Sequence, residues 1–155
     1  MWEHSGELSE MSVEFIKKQS AFIHQFIRLC KHWRNSLKPK SVYLPGLSSI
    51  IELLAIYSGL QHQEAYRDAF MNFLETVKNI HNLEISFTGS YYTTAEIPPA
   101  IKRRPYLINP ANPYQNFLED LDFEAKTILS GFAKVTLARM GRGCTKKLFK
   151  TQTTV

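Results

Sequence analysis

The chain has 155 residues, 44% of them hydrophobic and 12% aromatic, and carries a formal net charge of +5. That size and composition suit a single domain with a real core and exclude a disordered chain. No apolar run reaches the ~18 residues of a membrane span, and the opening MWEHSGELSE is too polar and acidic for a secretory leader, so no membrane partner is expected.

Residues 8–18, LSEMSVEFIKK, have spaced apolar positions and predict a short helix. Residues 21–37, AFIHQFIRLCKHWRNSL, predict a stronger one, with Phe22, Phe26, Leu29, Cys30 and Trp33 on a wide buried stripe. KPKSVYLPG breaks the pattern. Ser48 or Ser49 then caps a helix through Leu60, with Ile51, Leu54, Ala55 and Gly59 inward. Residues 63–80 predict a long amphipathic helix that buries Tyr66, Ala69, Phe70, Phe73, Leu74, Val77 and Ile80.

The character changes after residue 80. LEISFTGSYYTT is rich in β-branched and aromatic residues and has room for a short strand. Pro98, Pro99, Pro105, Pro110 and Pro113 exclude regular helix from about 97 to 114. A last helix is expected over 116–138. The expected architecture is mainly α, with a proline-rich excursion and one short strand pair. The domain is expected to span 8–138, with flexible ends at 1–7 and 139–155.

Charge is unevenly placed. Between Ala125 and Val155 there is no acid, whereas Lys126, Lys134, Arg139, Arg142, Lys146, Lys147 and Lys150 are basic. A cluster of this kind either meets phosphate or forms a solvated tail. The terminal QTTV has the form of a PDZ-domain ligand, with Thr153 and Val155 at the positions such domains read. Cys30 and Cys144 are far apart and lack a CxxC partner, which fits a reducing, cytoplasmic setting.

Few residues suggest chemistry. His4, His24, His32, His62 and His81 show no metal-ligand spacing with a nearby Cys or carboxylate, so no metal site is expected. Asp120 and Asp122 form a DxD pair, which can hold metal ions for nucleotidyl transfer when both carboxylates leave one face of a strand. Their context, NFLEDLDFEAK, instead predicts the first turn of a helix, where acids favour the dipole. Lys31 emerges beside the buried stripe, and Ser48 and Ser49 stand at a helix start. Together they suit a triphosphate, by point charge and by free N–H groups; equally, they suit a surface lysine and an ordinary cap.

Three stretches in order, FIRLCKHW (26–33), SSIIELLAIY (48–57) and RRPYLINPANPYQNF (103–117), resemble the C-terminal domain of 2'-5'-oligoadenylate synthetases. The resemblance extends through SEMSVEFIKKQ, YRDAFMNFLE and ISFTGSYY, and covers about residues 8 to 138. It implies the helical C-terminal lobe of a polymerase-β-like nucleotidyltransferase, in a family that makes 2'-5'-linked oligoadenylate from ATP when double-stranded RNA binds across two lobes. Such an enzyme works in the innate antiviral response. Its N-terminal lobe carries the aspartates that hold two Mg²⁺ ions, and this chain matches only the other lobe. The implied cofactors, Mg²⁺ and ATP, therefore belong to a complete two-lobe enzyme, and no catalytic residue is expected here.

The resemblance also assigns individual positions. Lys31 matches the lysine that contacts the phosphates of the donor nucleotide. Ser48 stands where the family places a Ser or Gln near the nucleotide, and Ser49 where it has a tyrosine packed against it. A serine has no π face to offer a base. Lys17 matches a lysine that contacts RNA. Val13 and Ala21 replace an arginine and a threonine facing RNA, which implies weakened RNA affinity. Asn109 and Asn112 replace aspartates of a DPADP-like turn, so that this turn is expected to stay structural. A non-catalytic RNA- or protein-binding module derived from the lobe is the alternative. A lobe of the cyclic GMP-AMP synthase type fits less well because of the RRPYLINPANP segment.

Overall fold

The apolar faces of residues 21–36, 47–61 and 66–78 pack on one another in chain order. The computed structural model describes residues 5–37, 47–89 and 91–141. Helices α1 (Ser5–Lys17), α2 (Ala21–Ser36), α3 (Leu47–Gln61) and α4 (Tyr66–Lys78) precede a small sheet, and α5 (Phe123–Gly141) follows it. The sheet consists of β1 (Glu84–Ile85), β2 (Tyr106–Asn109) and β3 (Asn112–Asn116). Single 3₁₀ turns at Ile80–Asn82 and Thr94–Glu96 lie between α4 and β2. The fold is thus mainly helical, as expected of such a lobe. Residues 5–7 and 139–141, expected in the flexible ends, belong to α1 and α5. The KPKSVYLPG break, Cys144, Arg142, Lys146, Lys147, Lys150 and the QTTV end lie outside the described residues, as do His4 and the rest of 1–4.

Helix α2 begins where Ser20, with extended backbone, accepts a hydrogen bond from the Ile23 N–H at 3.2 Å. Its expected stripe is buried, and Ile23 and Ile27 widen it. Helix α3 is apolar nearly all round. Leu47, Ile50, Leu53 and Ile56 are buried along with the expected Ile51, Leu54, Ala55 and Gly59. A helix of that kind belongs inside, and α3 packs between α2 and α4. The α2–α3 approach is close at Gly59, where a Cβ would stand 2.6 Å from Ile23 Cδ1 and 3.2 Å from Phe26 Cδ2. Ser48 and Ser49 lie within the first turn of α3 rather than at its cap, because the helix already includes Leu47.

Helix α4 buries Ala69, Phe70, Phe73, Leu74 and Val77, and Ile80 continues the face into the following 3₁₀ turn. Tyr66 is half-buried, its ring 4.8 Å from that of Phe22. Helix α5 packs on α4. Ser130 Oγ donates to the Lys78 carbonyl at 2.6 Å, which occupies an orphan acceptor at the end of α4. Trp33 joins all three layers. It is 2% exposed, meets Phe73 edge-on at 5.6 Å, and its Nε1–H donates to Thr136 Oγ1 at 2.8 Å.

The last helix starts later than expected. Residues 112–116 form β3, antiparallel to β2, and turns carry the chain to Phe123. Asn116 explains why the helix cannot begin there. Its Oδ1 accepts from the N–H groups of Leu107 and Leu118, both at 3.0 Å, and its Nδ2 donates to the Pro105 carbonyl at 3.1 Å. These bonds commit the segment to the sheet. Asp122 then takes the capping role, accepting from the Ala125 N–H at 2.8 Å. The DxD pair is accordingly a turn and a cap. The expected strand in LEISFTGSYYTT is Glu84–Ile85, which runs parallel to β2 with Glu84 opposite Tyr106. The proline-rich excursion therefore contributes to a three-stranded sheet, one strand more than the pair expected.

Candidate functional site

Helix α1, the start of α3 and the β2–β3 turn enclose a cleft of about 60 Å³, lined by Ser12, Ile16, Ser49, Glu52, Leu53, Asn109, Pro110 and Phe117. Helical spacing places the lining residues. Ser12 and Ile16 lie one turn apart on α1, as do Ser49 and Glu52 on α3. The third wall is built by the turn. Asn109 Oδ1 accepts from the Ala111 N–H at 2.8 Å and from Ser12 Oγ at 3.1 Å. Its Nδ2 donates to Gln115 Oε1 at 2.9 Å, and its carbonyl accepts from the Tyr92 hydroxyl at 2.6 Å. Asn112 Oδ1 likewise accepts from the Tyr114 N–H at 2.9 Å. Both asparagines shape the backbone, the structural part expected of them.

Burial pushes the Tyr92 hydroxyl from its ordinary pKa of 10 up to about 12. It remains a donor to Asn109 at any physiological pH. The Cys30 thiol is also pushed well up by complete burial, so it is an inert core group.

Lys31 pairs with one residue of this lining, Glu52. Its Nζ lies 3.0 Å from Glu52 Oε2, with side chains 41% and 23% exposed respectively. Glu52 therefore connects Lys31 to the wall that Ser49 shares. Of the expected nucleotide-binding residues, Ser49 lines the cleft, Lys31 reaches the lining only through its pair with Glu52, and Ser48 is exposed and not part of the lining. Glu52 is not among the residues that the sequence singles out. Its signal was present, since a carboxylate three residues after Ser49 shares that helix face, but only the contact with α2 gives it a partner.

Lys17, the expected RNA contact, and Val13 and Ala21, which replace RNA-facing residues of the family, are all exposed. Val13 is 52% exposed, Lys17 lies one turn on, and Ala21 is at the start of α2. The Lys17 carbonyl accepts from the His24 ring at 3.2 Å. The same helix thus presents Ser12 and Ile16 to the cleft and Val13 and Lys17 to solvent.

The cleft lining holds a single carboxylate, Glu52. Among the described residues no group of three or more His, Cys, Asp or Glu side chains converges on one point. The cleft is also several times smaller than the roughly 300–1,000 Å³ that encloses a typical small ligand, so it cannot enclose one by itself. No helix among the described residues is long and apolar enough to cross a membrane.

A comparison with protein families is consistent with the motifs in their order. The family model described as "2'-5'-oligoadenylate synthetase 1, domain 2, C-terminus" matches residues 2–148. Neither curated protein sequences nor solved structures give a match. With almost the whole chain matched, and with its helical fold and cleft in place, this protein belongs to the family of 2'-5'-oligoadenylate synthetase C-terminal domains.

Proposed function

We propose that the chain serves as the nucleotide-facing lobe of a divergent, double-stranded-RNA-activated 2'-5'-oligoadenylate synthetase, acting from the cytoplasm in antiviral defence. The observation that supports this reading is that Lys31 is ion-paired with Glu52, which lines one cleft together with Ser49. In that role Lys31 meets a phosphate of ATP as a point charge. The Mg²⁺-holding carboxylates belong to a second lobe, and the 155 residues alone are not catalytic. Purified residues 1–155 with ATP, Mg²⁺ and duplex RNA should make no oligoadenylate, and should begin to make it when supplied with an N-terminal lobe of the family. Product from the chain alone would overturn the reading.

A second reading, a non-catalytic RNA- or protein-binding module, is favoured by the small cleft and by a serine at position 49, which has no ring to grip a base. Lys17 and the basic C-terminal segment would then meet RNA phosphates. Duplex-RNA affinity that falls steeply with salt and drops in Lys17→Ala combined with removal of that segment would support it. Absence of binding even at low salt would sink the RNA version. A PDZ domain engaging the terminal QTTV is a protein partner this reading also admits.

A further inference from the structure

We propose that Glu52 holds Lys31 in an ion pair and so restrains the capture of polyanions by that lysine. The inference rests on the reading of Lys31 as a phosphate-binding group. At 3.0 Å from Glu52 Oε2, the Lys31 ammonium is already ion-paired. Both side chains are partly exposed, so a phosphate can reach the pair without unfolding anything around it.

The two partners are not equally free to move. Glu52 projects from α3 between buried neighbours, Ile51 and Leu53, on a helix fixed on both flanks. Lys31 has a four-carbon stem with many accessible rotamers. When an anion arrives, Lys31 swings towards it and the carboxylate stays behind. The anion then meets a lysine drawn from its partner and a negative charge left close by. Both effects oppose binding, and both are removed by taking away the Glu52 charge. An exposed pair of this geometry corresponds to a change of about two- to fivefold in affinity.

The probe is inorganic tripolyphosphate, titrated calorimetrically at low salt into the full chain and into Glu52→Gln, Glu52→Ala, Lys31→Met and the double variant Lys31→Met/Glu52→Gln. Glu52→Gln should bind about two- to fivefold more tightly than the unmodified chain, and Glu52→Ala should do likewise, so that one folded variant suffices. Lys31→Met should bind more weakly than the unmodified chain. In the double variant most of the gain should disappear, because there is no longer a lysine to release. Unchanged or weaker binding in Glu52→Gln and Glu52→Ala, with Lys31→Met still impaired, overturns the restraint and leaves the phosphate site standing. Binding that is indifferent to Lys31→Met, or absent from the unmodified chain and the Glu52 variants alike, overturns the phosphate site and the restraint with it.

Discussion

Ser12 and Asn109, 97 positions apart in the chain, are joined by a hydrogen bond of 3.1 Å from the serine hydroxyl to the amide oxygen. That bond fastens α1 to the β2–β3 turn and closes one side of the cleft. Asn109 is 6% exposed and uses both ends of its side chain. Asn109→Ala should destabilise the domain by about 1–3 kcal/mol, because it leaves the Ala111 N–H without its acceptor. Asn109→Asp keeps that acceptor and should cost less. Urea unfolding followed by circular dichroism measures both, and an alanine variant no less stable than the aspartate variant would contradict the assigned role.

Tyr92 provides a pH signature of the same turn. Its folded-state pKa of about 12 exceeds the ordinary 10, so the folded state keeps a proton that the unfolded chain releases. The contribution of the buried hydroxyl is therefore complete below pH 10 and is lost as pH rises through about 12. Tyr92→Phe removes the donor to the Asn109 carbonyl and should cost about 0.5–1.5 kcal/mol at neutral pH. The stability difference between the two proteins should shrink between pH 10 and 12, as measured by denaturant midpoints across that range.

Two helical glycines should respond in opposite directions. Gly59 faces Ile23 and Phe26 in a closed contact, whereas Gly131 in α5 has nothing within 4 Å of the position a Cβ would take. Gly59→Val should lose about 1–3 kcal/mol through overpacking between α2 and α3. Gly131→Ala should gain about 0.5–1 kcal/mol from helix propensity. Melting temperatures in parallel scans distinguish them, and a stabilised Gly59→Val would contradict the close approach.

Two neighbours on α2 should differ in what they do for stability. The Lys31–Glu52 pair is partly exposed, so Lys31→Met should change stability by less than about 1 kcal/mol. Thr136→Val strands the buried Trp33 Nε1–H, which now donates at 2.8 Å, and should cost about 1–3 kcal/mol. Denaturant unfolding monitored by tryptophan fluorescence reads both. A large loss in Lys31→Met would mean that the lysine supports the fold as well as the cleft.

Much of the helical domain was legible because helix periodicity is a local signal. Phe22, Phe26, Leu29, Cys30 and Trp33 repeat at helical spacing, and all are buried. The bounds of α2 and α4 follow closely from that pattern, and the ordered motifs were sufficient to point to the family. The site was less legible. Lys31 and Ser49 are candidates both from their helix positions and from the resemblance, yet only the packing of α2 on α3 gives Lys31 its partner, Glu52. The start of α5 was misplaced for a related reason: NFLEDLDFEAK has a helix-like composition, but Asn116 answers to Leu107 and Pro105 across the sheet.

By itself the sequence determined which segments are helical, which faces they bury and which family the chain resembles, because these follow from spacing within a few turns. Only the tertiary structure decided that residues 112–116 pair with β2, that Asn109 holds α1 through Ser12, and that Lys31 is already engaged by a carboxylate. Each of these joins groups from different elements. Their partners are chosen by how the buried faces stack, which no single stretch of sequence contains.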